Sequence, residues 1–353
     1  MPALSDPLAV GDLTLPNRVV MAPLTRLRSG LSRIPTPLMA EYYAQRASAG
    51  LIISEATSVS PQGVGYAGSP GIWSRDQVES WKRVTQAVKT AGGRIFLQLW
   101  HVGRISDPHF LGGELPVAPS AIAAVGHVST LRPERPYVTP RALRTDELPG
   151  IVEDFRRGAQ NAQEAGFDGV ELHGANGYLL DQFLQDGANQ RTDDYGGSAE
   201  NRARLLLEAT DAAISVWGPG RVGVHIAPRG GVHSISDSDP AATFGHVAEE
   251  LGRRKIAFVC GREKVGPDSL SPRLKRLFGG VYIANEGFER DSAKAVLDAG
   301  WADAVAFGKA FLANPDLPDR LRADAPLNAP RPETFYGGGA EGYTDYPVFE
   351  WVG

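Results

Sequence analysis

The sequence predicts a single-domain (β/α)8 barrel over residues 1–353, and three observations lead there. Eight short apolar runs alternate with eight longer amphipathic stretches along the 353 residues. The short runs are almost continuously apolar, as strands are when helices bury both of their faces. No unit in the series suggests a reversal of order, so there is no switch point at which an open, doubly wound sheet would form its crevice. Eight is also the number of units that closes a parallel sheet on itself.

The first strand is expected at 17–24, with a helix following at 37–49. The later strand–helix pairs are 50–56 with 75–91, 94–100 with 147–165, 169–175 with 199–217, and 222–227 with 239–254. The last three are 256–260 with 269–278, 281–285 with 290–299, and 302–308 with 310–323. Helix punctuation agrees with these spans. Asp146 precedes a helix with Glu147 in its first turn, Ser198 is followed by Glu200, and Asp239-Pro240 is an N-cap and first-position pair. Gly166 and Gly300 stand just past helix ends. Residues 105–144 break the rhythm. They hold Pro108, Pro116, Pro119, Pro133, Pro136 and Pro140 without a clear period. An insertion of that length after the third strand is expected to be a capping lid over the barrel mouth.

Composition narrows the class of partner. A net charge of -5 with dispersed basic residues excludes nucleic acid and anionic membrane as main partners. The one cysteine, Cys260, excludes an internal disulfide and a cysteine-based metal cluster. No apolar run approaches the ~20 residues that span a bilayer. The first residues, MPALSDPLAVGDL, lack the basic start and apolar core of a signal peptide. A cytoplasmic enzyme, monomeric or homodimeric, is the expectation.

The chemistry concentrates at the end of the fourth strand. His173, Asn176 and Tyr178 fall within six positions, where the strand gives way to a loop. These side chains can grip a carbonyl-type oxygen and deliver a proton, at the barrel end where active sites sit. The bland alternative has His173 capping a strand and Tyr178 packing in the core. A phosphate group is suggested by Asn285 and Gly287 after the seventh strand and Gly308 and Lys309 after the eighth. There the glycines allow close backbone approach and Lys309 adds charge. Gly63, Gly65 and Gly68 match G-x-G-x-x-G, but Pro70 and Gly71 follow at once and no βαβ unit surrounds them. A nicotinamide would therefore visit the same pocket as the substrate. No carboxylate accompanies His101 or His173 at metal spacing, so no metal is expected. Ser/His/Asp catalysis lacks its G-x-S-x-G elbow.

Longer motifs carry a resemblance. They include Met21-Ala-Pro-Leu-Thr-Arg26, Ser54-Glu-Ala-Thr57, Gln98-Leu-Trp-His-Val-Gly-Arg104, Pro140-Arg-Ala-Leu143 and His173-Gly-Ala-Asn176. Further along are Asn189-Gln-Arg-Thr-Asp-Asp-Tyr-Gly-Gly197, Glu200-Asn-Arg202, Ala304-Val-Ala-Phe-Gly308, Ala313-Asn-Pro-Asp316 and Tyr336-Gly-Gly-Gly-Ala-Glu-Gly-Tyr343. Over nearly its whole length the chain resembles the old yellow enzyme family, FMN-dependent ene-reductases on a (β/α)8 barrel. Thr25 in place of Cys, and the pair His173/Asn176, resemble its classical branch. The resemblance implies that Thr25 bonds the flavin O4, that Pro23, Leu24 and Ala56 line the ring, and that Gln98 binds the pyrimidine edge. It implies that His173 and Asn176 hold the substrate oxygen and that Tyr178 donates the proton. Trp100, Tyr66 and Tyr343 or Tyr336 would shape the substrate side.

The activity so implied is hydride transfer from NADPH or NADH, through non-covalently bound FMN, to the C=C bond of a small electrophilic alkene. Enones, maleimides and nitroalkenes are the expected class. Alternatives are reductive denitration of nitrate esters or nitroaromatics in the same pocket, a non-catalytic flavin-binding protein, and an unrelated barrel. The chain also departs from the family pattern. His225 stands where the family usually has Arg near the flavin N1/O2 edge, Lys309 replaces a more usual Arg, and the stretch 258–272 is shorter and more polar.

Overall fold

The structure, a computed structural model, describes residues 2–350; the ends of the expected 1–353 domain, Met1 and residues 351–353, lie outside the described residues. The eight parallel strands are β1 (Val19–Met21), β2 (Leu51–Ile53), β3 (Ile95–Trp100), β4 (Gly169–Gly174), β5 (Val222–Ile226), β6 (Phe258–Arg262), β7 (Val281–Asn285) and β8 (Ala304–Phe307). Each pairs with its neighbours in sequence order, and β8 returns to β1 through Val305 with Val19 and Phe307 with Met21. The ring is closed, as the alternating pattern foretold.

The helices are α1 (Pro37–Ala44), α2 (Arg75–Thr90), α3 (Leu148–Glu164), α4 (Leu179–Leu184) and α5 (Ala199–Trp217). They continue with α6 (Pro240–Arg253), α7 (Ser271–Phe278), α8 (Arg290–Asp298), α9 (Lys309–Ala313) and α10 (Leu317–Ala323). Ser198 and Asp239 cap α5 and α6, accepting from the amides of Asn201 and Ala242. Where expectation and structure part, the cause is local. The helix expected at 310–323 is two helices, because Asn314 turns extended ahead of Pro315. The strand expected at 17–24 is only Val19–Met21, since Pro23 has no N–H for a ladder. The sixth strand runs past the expected residue 260 to Arg262. A hairpin of Leu8–Val10 and Leu13–Leu15, and the short α4, had no clear signal in the sequence.

Inside the barrel, alternate side chains point inward. Phe96 and Phe258 lie with ring centroids 5.8 Å apart among Val20, Leu51, Ile53, Ile283 and Ala304. Gly169 and Gly223 make room for them. A Cβ on Gly169 would fall 2.3 Å from the Phe96 ring, and one on Gly223 would fall 2.2 Å from the Phe258 ring. Val10 and Leu15 of the N-terminal hairpin join this interior cluster. One step further along the strands the inward side chains turn polar. Gln98 sits beside Glu171 in register, and His225 lies between His173 and Cys260. That change of character marks the floor of the site.

Residues 105–144 contain a two-residue parallel pairing, Val117–Ala118 with Arg141–Ala142. Ala124, Val128, Leu131 and Tyr137 from this stretch bury themselves in a cluster with Tyr66 and Trp100. No helix among the described residues is long and apolar enough to cross a membrane.

Candidate active site

A cavity of about 500 Å³ opens at the C-terminal ends of the strands. Pro23, Leu24 and Thr25 after β1, Ala56 after β2, Gln98 on β3 and His225 on β5 all line it. So do Asn285 and Gly287 at the end of β7, and Gly308 and Lys309 after β8. His173, Asn176 and Tyr178 complete the wall. Residues spread over nearly three hundred positions therefore converge on one space, because a closed parallel barrel gathers every strand's C-terminal end at one face.

Of the four aromatic residues expected at the substrate side, the structure places only Tyr336 on the cavity, with 67% of its surface exposed. Tyr343 is 0% exposed and stacks on Tyr42 at 4.0 Å, with Arg28 over its ring at 4.5 Å. Tyr343 thus belongs to a buried aromatic–cation stack and does not line the cavity. Trp100 and Tyr66 stand one layer back. Their rings stack at 5.3 Å, and Tyr66 meets the Tyr178 hydroxyl at 2.8 Å. None of residues 105–144 lines the cavity; Ala124, Val128, Leu131 and Tyr137 of that stretch back Tyr66 and Trp100 instead.

The floor is polar and tightly bonded. Gln98 donates through Nε2 to Glu171 at 2.7 Å and lies 3.3 Å from His225 Nδ1. His225 and His173 stack with centroids 5.7 Å apart. Burial pushes His173 well below the ordinary histidine range, and the neighbouring His225 and Arg262 add to the effect. His173 is therefore neutral at physiological pH. Burial has the opposite effect on the phenols of Tyr66 and Tyr178, which are pushed up, so both stay protonated. Glu171, His225 and Cys260 also bring one ligand-type atom each within 4.8 Å, a grouping the sequence spacing did not suggest. One Glu171 oxygen there, Oε2, accepts from Gln98, while Oε1 is buried without a hydrogen-bond partner among the described residues.

Several lining residues escaped the sequence reading: Arg26, Arg262, Glu286, Phe288 and Phe335. Arg262 was legible in principle. Phe258 and Cys260 point inward, and the period of two carries on to 262. Phe335 was not, since it is held at the mouth by distant residues: Arg26 Nε and Arg28 Nη1 donate to its carbonyl at 2.9 and 3.1 Å.

A model of the NADH:flavin oxidoreductase / NADH oxidase family matches residues 3–328. The chain belongs to this family, that of the old yellow enzymes. Among its relatives, 12-oxophytodienoate reductase 1 of Oryza sativa subsp. japonica is 44% identical over 363 residues, covering 99% of this chain and 94% of that protein. The structure of the old yellow enzyme homologue from Zymomonas mobilis matches with a TM-score of 0.96 at 46% identity, covering 99% of this chain and 100% of that one. Morphinone reductase in complex with tetrahydroNAD matches with a TM-score of 0.96 at 50% identity, covering 99% and 98%. As a member of the old yellow enzyme family, the protein is an NAD(P)H-dependent flavin oxidoreductase that uses FMN.

The residues present fit that cofactor. His173 Nδ1 and His225 Nε2 are buried and have no protein partner. Buried polar atoms are rarely left so, and here both belong to cavity-lining side chains. Gly287, with φ +71 and open space on its Cβ side, leaves the backbone accessible next to Lys309 on the same cavity wall.

Proposed function

We propose that the protein reduces the C=C bond of small electrophilic alkenes such as enones, maleimides and nitroalkenes. The observation that carries this reading is the convergence of His173, Asn176 and Tyr178 on one cavity with the ten residues proposed to hold FMN. Those ten are Pro23, Leu24, Thr25, Ala56, Gln98, His225, Asn285, Gly287, Gly308 and Lys309. When bound, FMN supplies the hydride that NADPH or NADH gives up.

His173 and Asn176 hold the activating oxygen of the alkene. As the β-carbon accepts a hydride, negative charge collects on that oxygen, and two preset donors stabilise it there. A neutral His173 suits the task, because it donates one N–H without adding a charge that water must screen. Tyr178 then gives its proton to the carbon next to the activating group. The oxygen left behind gains negative charge and accepts a hydrogen bond from Tyr66, 2.8 Å away. Trp100 meets Tyr178 edge-on at 4.9 Å and holds its ring in place. Residues 105–144 act as a cap by backing that aromatic group, and so influence substrate shape indirectly.

Anaerobic titration tests the whole reading. The purified protein should be yellow, NADPH should bleach it, and 2-cyclohexenone or N-ethylmaleimide should restore the colour. A bleached protein that no activated alkene reoxidises rejects the alkene reading.

His225 offers a separate check. Its Nε2 is the polar atom proposed to meet the N1/O2 edge of the flavin, and an imidazole carries less charge there than a guanidinium. His225→Arg should tighten FMN binding by about 10- to 100-fold, the range expected for one hydrogen bond to a charged group. It should also raise the flavin midpoint potential. An FMN dissociation constant and a potential both equal to the parent's would reject the role.

A further inference from the structure

Arg262 ends β6 on the cavity wall beside His173, Asn176 and Tyr178. We propose that Arg262, held in place by Glu286, is a positioning residue that turns the Asn176 amide so that its NH2 group faces the substrate oxygen. The inference rests on the proposed role of Asn176 and extends it to two residues that role does not involve.

Arg262 Nη1 lies 2.5 Å from Asn176 Oδ1. A guanidinium has five donors and no acceptor, so only the carbonyl end of an amide can face it. The orientation of Asn176 is therefore dictated by chemistry. Its NH2 end has no protein partner among the described residues and is left for a ligand. Without the guanidinium the amide can turn over, and a substrate oxygen would then meet another oxygen. The backbone of Asn176 is held as firmly. Its φ is +59, a left-handed value, and its carbonyl accepts from His233 Nδ1 at 2.7 Å. The side-chain torsion is the freedom that remains, and Arg262 removes it.

Arg262 is itself clamped. Its Nε pairs with the Glu286 carboxylate. Glu286 carries φ +109, a backbone conformation that favours glycine and strains other residues by roughly 1–3 kcal/mol. A glycine at 286 would relieve that strain but could not grip Arg262. The strained position and the ion pair thus point to the same purpose, a guanidinium fixed against Asn176.

The test uses FMN-loaded enzyme reduced with NADPH and measures its reoxidation by 2-cyclohexenone. Asn176→Ala should slow this step about 100-fold, as loss of one oxyanion donor does. Arg262→Leu should slow it about 10-fold in the parent, the scale of one hydrogen bond to a charged group, and by less than about 2-fold once Asn176 is already alanine. Arg262→Lys, which keeps a donor, should recover most of the rate. Glu286→Gly should lower the rate while leaving Tm at or above the parent's, a split that a purely structural role does not give. The dissociation constant of cyclohexanone, a saturated ketone that is not turned over, should rise with Arg262→Leu in the oxidised enzyme. Effects of Arg262→Leu and Asn176→Ala that simply multiply overturn the inference, as does an unchanged rate in both Arg262→Leu and Glu286→Gly. If Asn176→Ala is itself without effect, the substrate-oxygen reading fails, and the inference fails with it. Should Arg262→Leu fold poorly, Glu286→Gly decides alone: rate lost with Tm kept supports the inference, and rate kept overturns it.

Discussion

Replacing Tyr178 with phenylalanine is expected to slow alkene reduction by about 10²- to 10⁴-fold, the usual worth of a positioned general acid. Reduction of the bound flavin by NADPH should continue, because hydride arrival needs no proton from Tyr178. The substitution removes one hydroxyl and keeps the ring that packs edge-on against Trp100 and His173 at 4.9 Å each. Folding and cavity shape should therefore survive, and the two half-reactions can be compared by stopped flow. Equal reoxidation rates in parent and variant would remove Tyr178 from the mechanism. The pH dependence gives a second handle. Burial raises the Tyr178 phenol above its ordinary value, so the active, protonated form is fully present through neutral pH. It is lost only as pH rises through the elevated value. The rate should therefore show no decline attributable to Tyr178 near pH ~10, where an unperturbed tyrosine ionises.

His173→Ala is expected to cost about 3–4 kcal/mol of transition-state stabilisation, or roughly a 10²- to 10³-fold loss in kcat, as removal of one preset oxyanion donor typically does. His173→Asn keeps a donor of similar reach and should restore part of the rate. The depressed His173 basicity has its own consequence. A histidine buried neutral stays neutral as pH falls past ~6.5 and charges only below its lowered value. Acid should therefore produce no kinetic inflection near 6.5 from this residue. An inflection there that vanishes in His173→Asn would show a charged imidazole at work and reverse the assignment. Retained FMN and an unchanged Tm would exclude simple collapse of the site.

Arg262 and Tyr343 show where sequence reasoning stops. The expected strand end excluded Arg262, and the family resemblance put Tyr343 or Tyr336 on the substrate side. The sixth strand is expected to end at residue 260. In the barrel, Arg262 stays on the ladder, opposite Asn285, and its head reaches the cavity. Tyr343 closes the glycine-rich run that begins at Tyr336. Arg26 pulls that run against the barrel through Gly342 O at 2.7 Å, and the ring is swallowed by the Tyr42 stack. The Tyr42 stack joins residues about three hundred positions apart, so no periodicity records it, whereas the period of two along the sixth strand does carry on to Arg262.

What the sequence determined by itself was the architecture and which strand ends would face one cavity. Strand and helix periods are local properties, and eight repeats of one unit admit a single closure. Motifs such as Gln98-Leu-Trp and His173-Gly-Ala-Asn176 sit at strand ends, which the barrel necessarily gathers at one face. Only the tertiary structure decided which aromatic rings reach the cavity, how the Asn176 amide is turned, and that His173 is neutral. Those properties depend on burial and on partners far apart in sequence, as between Asn176 and Arg262, 86 positions apart, or between Arg26 and Gly342, 316 apart. Such long-range contacts exist only once the ring has closed.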